Sequence, residues 1–130
     1  MQSVTSADVQ AIAALDMELF PNNSFNERTL AREVDAGGGI VIYEKGELVS
    51  YLLARWDWEI MDITRFGVRP SHQGRGLGNR MLLDVLGSTK LDTILCVEKT
   101  NSRAVRMYLG HHFRIIGQLK KSWLMHRSTL

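Results

Sequence analysis

Val68-Arg69-Pro70-Ser71-His72-Gln73-Gly74-Arg75-Gly76-Leu77-Gly78-Asn79-Arg80 is the stretch whose reading decides the fold. An apolar, strand-like run from Ile60 to Val68 enters it, and Pro70 breaks that run. Glycine then takes alternate positions at Gly74, Gly76 and Gly78, after which Met81, Leu82, Val85 and Leu86 recur at helical spacing. Strand, glycine-rich turn and helix start together make an anion site. Glycines let the backbone turn its N–H groups inward, and the helix N-terminus adds partial positive charge. Arg75 and Arg80 add formal charge beside it, either as phosphate partners or as solvated side chains. The dinucleotide fingerprint requires Gly-x-Gly-x-x-Gly, which Gly74-x-Gly76-x-Gly78 does not satisfy. A P-loop is also excluded, because Gly78 is followed by Asn79-Arg80 rather than Lys-Ser/Thr.

Upstream of the loop, Ser6 or Asp8 can cap a first helix whose apolar positions are Val9, Ile12, Leu15, Leu19 and Phe20. Pro21-Asn22-Asn23 ends it, and Ser24-x-x-Glu27 has the form of a capping box for a second helix carrying Leu30 and Val34. Gly37-Gly38-Gly39 closes that helix. Ile40–Glu44 and Leu48–Arg55, joined through Lys45-Gly46-Glu47, carry a β-hairpin signal. Downstream, Leu91–Val97 is β-rich, and Asn101 stands where the cap of a further helix belongs. Phe113–Ile116 and Ser122–Met125 form a closing hairpin around Leu119-Lys120. The order α, α, β, β, β, α, β, α, β, β predicts an α/β (α+β) domain over residues 1–130. Its sheet is mixed but mostly antiparallel, with helices on both faces.

Composition narrows the function classes. At 45% hydrophobic and 23% charged residues, the 130-residue chain is ordinary for a globular domain large enough for a real core. A net charge of +2 and the absence of a long basic run argue against nucleic acid as a partner. No 18-residue apolar run and no signal-peptide order occur, so neither membrane insertion nor export is expected. The one cysteine, Cys96, fits a reducing cytoplasm. His111-His112 has no cysteine or carboxylate pair at ligand spacing, so no metal site is expected.

Gln73-x-x-Gly76-x-Gly78, preceded by Val68 and Pro70, resembles the pyrophosphate loop of GNAT-type N-acetyltransferases. A second feature, Leu95-x-Val97-x-x-x-Asn101-x-x-Ala104-x-x-x-Tyr108, is similar to that superfamily's second half. The order of elements agrees, with room for a short first strand near Gln2–Val4. Phe20-Pro21-Asn22-Asn23-Ser24-Phe25 resembles the ribosomal-protein and protein N-terminal acetyltransferase branch. The resemblance implies acetyl-CoA as co-substrate. The amides of Gln73, Gly74, Arg75, Gly76, Leu77, Gly78 and Asn79 would take the diphosphate. The backbone of Phe66, Gly67 and Val68 would pair with the pantetheine arm, and Asn101 would touch it.

Acetyl transfer from a thioester to an amine needs a neutral amine and a proton for the departing thiolate. By the resemblance, Tyr108 would supply that proton. Three carboxylates compete as base. Asp62 stands where histone-type relatives carry a glutamate, and in a regular strand it would share a face with Thr64, Phe66 and Val68. Glu59 could replace it if a bulge shifts the register. The N-terminal branch places a glutamate where this chain has Cys96, and Glu98, two residues on, lies on the same strand face. Trp56 and Trp58 are candidates for an acceptor wall or for packing. The implied activity is transfer of acetyl from acetyl-CoA to a primary amine of a protein or peptide. A small-molecule amine acceptor, or a non-catalytic acyl-CoA-binding module, is the alternative, and the chain is expected to act as a monomer or homodimer.

Overall fold

Leu48 to Ala54 are buried at every position, so the strand that contains them needs cover on both faces. In the computed structural model, which describes residues 1–129, that strand is β3 (Glu47–Trp56). It lies inside a seven-stranded sheet of order β1-β2-β3-β4-β5-β7-β6. The other strands are β1 (Gln2–Ser3), β2 (Gly38–Glu44), β4 (Ile60–Val68), β5 (Asp92–Glu98), β6 (Arg114–Leu119) and β7 (Ser122–Arg127). Only β4 and β5 run parallel; every other neighbouring pair is antiparallel.

Alternation along β3 sends its two faces to two cores. Leu52 and Ala54 pack with Ile63, Met81, Leu82, Tyr108 and Phe113, beneath α3 (Leu77–Gly87) and α4 (Ser102–Gly110). Tyr51 and Leu53 pack with Ile12, Leu15 and Leu30, beneath α1 (Val9–Leu19) and α2 (Glu27–Ala36). A helix pair therefore sits on each face, in a mixed and mostly antiparallel sheet.

The caps differ in detail from the expected ones. Thr5, not Ser6 or Asp8, forms a capping box with Asp8 over the single 3-10 turn that leads into α1. For α2 the cap is Asn26, whose Oδ1 accepts from the Thr29 amide at 2.8 Å. Ser24-x-x-Glu27 matches the pattern, but Asn26 sits directly before the first helical residue and reaches that amide first. His112 takes the left-handed conformation after α4, with φ of 70°. Gly37 and Gly39 are needed for close approach, since a Cβ on either would lie about 2 Å from a β3 carbonyl oxygen.

Trp56-Asp57-Trp58 joins β3 to the start of β4, at the end of that strand away from Val68 and the glycine loop. Asp57 Oδ1 holds this turn by accepting from the Glu59 and Ile60 amides at 2.7 and 2.9 Å. Both tryptophans are exposed there, and neither lines the cleft described below, where an acceptor wall would have to stand. Among the described residues, no helix is long and apolar enough to cross a membrane.

Candidate active site

Parallel pairing of β4 with β5 stops after Ile63 and Leu95, although both strands continue. A bulge in β4 explains the parting. Leu53 pairs with Arg65 but Ala54 with Ile63, so Thr64 is the extra residue and the strand bends there. Beyond it, Phe66, Gly67 and Val68 pair with Leu52, Tyr51 and Ser50 of β3 on one side only. Their other edge faces a cleft of about 1110 Å³ that opens between β4, β5 and α4.

Above this gap the chain enters the glycine loop. Pro70–His72 makes one 3-10 turn, and the Gln73 side chain folds back to donate from Nε2 to the Val68 carbonyl at 2.9 Å. Gln73 N–H is taken by the Pro70 carbonyl. From Gly74 to Asn79, no backbone N–H has an acceptor among the described residues. Six amides in succession, ending in the first turn of α3, are left for a ligand. Gly74 and Gly76 hold φ of 80° and 77°, and a Cβ on either would meet nothing within 4 Å. Glycine is required at these two positions for backbone conformation alone. Gly78 differs, because its Cβ would stand between Met107, Val68 and Phe66 in the cleft itself, at 3.5 to 3.8 Å.

Formal positive charge comes from residues that the sequence analysis passed over. Arg103 and Arg106 border the cleft from the first turns of α4, and Arg103 Nη1 bonds Gln73 Oε1 at 3.3 Å. Their i, i+3 spacing after Asn101 was the available signal. His72 and His111 border it too, His72 paired with Glu44 at 3.0 Å and His111 bonded to Asn79 Oδ1 at 2.7 Å. The side chains of Arg75 and Arg80 are exposed, and neither residue lines the cleft.

Asn101 caps α4 by accepting from the Ala104 amide at 3.3 Å and borders the cleft as well. Tyr108, one face of α4 further down, is 6% exposed and packs edge-on against Phe113. Its hydroxyl has no hydrogen-bond partner among the described residues, and the residue lines the cleft. Burial holds its phenol well above the ordinary range, so it stays protonated at neutral pH.

The three carboxylates are separated by the fold. Glu98, at the end of β5, is the one Asp or Glu among the described residues that line the cleft. Its Oε1 accepts from Asn23 Nδ2 at 3.1 Å. Asp62 pairs across β3 with Arg55, and the Thr64 bulge puts it on the face of Arg65 and Gly67, not that of Phe66 and Val68 as a regular strand would. It is half-buried outside the cleft, and desolvation, then the neighbouring Glu33, pushes its carboxyl up while Arg55 opposes. Glu59 lies in the turn before β4, remote from the loop. Cys96 is exposed outside the cleft, and its thiol is pushed up by burial and by Asp62, which disfavours a thiolate. Arg65 does not pair with Asp62 but with Asp16 of α1. Among the described residues, no three His, Cys, Asp or Glu are placed to share a metal ion.

A free amide series, an open strand edge and two arginines fit a molecule with a diphosphate at one end and an amide-bearing arm at the other. The relatives of the chain carry the same reading. The Acetyltransferase (GNAT) family matches over residues 8–113. The N-alpha-acetyltransferase RimI of Mycobacterium tuberculosis is 30% identical over 129 residues, covering 88% of this chain and 78% of that protein. Among solved structures, Ard1 of Thermoplasma volcanium superposes with a TM-score of 0.87 at 15% identity, covering 99% of this chain and 96% of that one. Arabidopsis thaliana Naa50, solved with the bisubstrate analogue CoA-Ac-MVNAL, does so at 0.79 and 20% identity, covering 98% and 97%. The two structures share the fold; the family match and the identity to RimI go further, and by them this chain belongs to the GNAT family of acetyl-CoA-dependent N-acetyltransferases.

Proposed function

We propose that this enzyme acetylates the amine of a protein or peptide in the cytoplasm, with Glu98 as general base and Tyr108 as the proton donor to the leaving thiolate. The carrying observation is the placement of Glu98, alone among the described carboxylates in reaching the cleft that Tyr108 and the open edge of Phe66–Val68 share. In this reading the amides of Gly74 to Asn79 hold the diphosphate of acetyl-CoA, and the Phe66–Val68 edge pairs with the pantetheine arm as a neighbouring strand would. Asp62 takes no part in the transfer.

The proton inventory is balanced by these two groups. Glu98 takes a proton from the acceptor ammonium, freeing the lone pair that attacks the thioester carbonyl. The C–N bond forms, the C–S bond breaks, and the Tyr108 hydroxyl donates to the sulfur as it leaves. The second proton of the acceptor nitrogen, released as the amide forms, returns to the Tyr108 oxygen, and the proton held by Glu98 passes to solvent. An α-amine near pKa 8 is neutral about one time in ten at pH 7, against roughly one in a thousand for lysine. A single carboxylate at the cleft mouth suits the smaller task. Support for a peptide acceptor comes from the N-alpha specificity in the name of RimI and from the peptide portion of the analogue bound by Naa50.

A thiol-release assay with N-terminal peptides, lysine peptides and polyamines tests this. Turnover is expected with free peptide N-termini. Glu98→Gln and Tyr108→Phe should each lower kcat about a hundredfold while leaving CoA affinity within twofold. Binding of CoA without turnover on any amine would instead identify a non-catalytic acyl-CoA module.

A further inference from the structure

The segment between α1 and α2 reaches across the sheet to touch Glu98. It does so through Asn23, 75 residues away in sequence, at 3.1 Å. Both side chains are exposed, and an exposed polar pair with free ends contributes little by itself. This pair does not have free ends. The Asn23 carbonyl accepts from Arg65 Nη2 at 2.9 Å, and its amide donates to the Phe20 carbonyl at 3.1 Å. Arg65 is in turn fixed by a two-point pair with Asp16, from Nε to Oδ1 at 2.8 Å and from Nη2 to Oδ2 at 2.9 Å. Its guanidinium carbon lies 4.2 Å from the ring centroids of both Phe20 and Phe25. Asp16 is fully buried and also accepts from the Phe25 amide at 2.8 Å and from the Tyr51 hydroxyl. A planar cation in a two-point pair between two rings has few alternative poses.

We propose that Asn23 is a positioning residue for Glu98, set in place by the Arg65–Asp16 clamp. This rests on the assignment of Glu98 as the base. The amide N–H of Asn23 occupies Oε1 and stops the carboxylate from turning away, leaving Oε2 as the acceptor for the substrate's proton. Arg65 is next to Phe66, so the strand that forms one wall of the cleft also sets the orientation of the carboxylate across it. Leu19 and Phe20, from the same clamped segment, line the cleft beside Gly67. Cofactor wall, acceptor wall and base are thereby held in one frame.

A kinetic double-mutant cycle on the full chain, with an N-terminal peptide as acceptor, reads this out. Asn23→Ala is expected to lower kcat about tenfold, with the KM for acetyl-CoA within twofold and the melting temperature unchanged. Asn23→Asp, the same size but bearing a like charge and no donor, should fall further. In the Glu98→Gln background, Asn23→Ala should have no additional effect, because the group it positions has gone. An equal loss from Asn23→Ala in both backgrounds, or wild-type kcat for both Asn23 variants, overturns the positioning role while leaving Glu98 as base. Wild-type kcat for Glu98→Gln overturns the base and the positioning role together.

Discussion

Gly78 separates binding from stability within a single residue. It lies in the first turn of α3, where alanine is worth up to about 1 kcal/mol over glycine, and its Cβ would make only ordinary contacts with the protein. Those contacts are to Phe66, Val68 and Met107, all bordering the cleft. Gly78→Ala should therefore melt at or slightly above the wild-type temperature yet bind CoA at least about tenfold more weakly by calorimetry. At Gly76 the balance is reversed. Its left-handed φ costs an L-residue about 1–2 kcal/mol with no clash to add, so Gly76→Ala should lower the melting temperature. Asp62 supplies a pH test. Its folded-state pKa is raised, so its stabilising contribution is complete below the unfolded value near 4 and is lost as pH rises through the folded value. Asp62→Asn should raise the melting temperature at pH 7, lose that advantage below about pH 4, and retain kcat.

Elements show which local signals won. Both Ser24 and Asn26 have cap chemistry, but only Asn26 bonds a first-turn amide of α2. Asn26→Ala should cost about 1 kcal/mol in denaturant unfolding, and Ser24→Ala much less. Two aspartates tie element ends to their neighbours. Asp57 holds the turn into β4, and Asp92, at the start of β5, accepts from His126 Nε2 at 3.0 Å and from the Thr129 amide at 3.2 Å. The backbone bonds, from Glu59 and Ile60 to Asp57 and from Thr129 to Asp92, hold both carboxyls below the usual range; at Asp92 the His126 bond adds to this. The sign is opposite to that of Asp62. Stability from these groups is present above the unfolded value and disappears as pH falls through the folded one, so acid melting should begin below about pH 4. Asp92→Asn should flatten that limb in a melting series from pH 5 to 2.

At the scale of the whole molecule, a ligand that binds only the folded chain stabilises it by mass action. CoA at a hundred times its Kd should add about 2.7 kcal/mol, or a few degrees of melting temperature for a domain of this size. Gly78→Ala should remove most of that shift at the same CoA concentration. Local chemistry written in the chain determined the elements, the two-sided cover of β3, the glycine loop and the tyrosine of α4. Each depends on periodicity, a turn conformation or a cap, and those are properties of neighbours in sequence. Which carboxylate faces the cleft was decided only in three dimensions. Asp62, Glu59 and Glu98 were open alternatives along the chain because one inserted residue, Thr64, exchanges the faces of a strand, and no sequence pattern announces it. The same holds for the clamp. Asp16, Asn23, Arg65 and Glu98 come from four separate segments, and only packing α1 against the sheet brings them within hydrogen-bond reach.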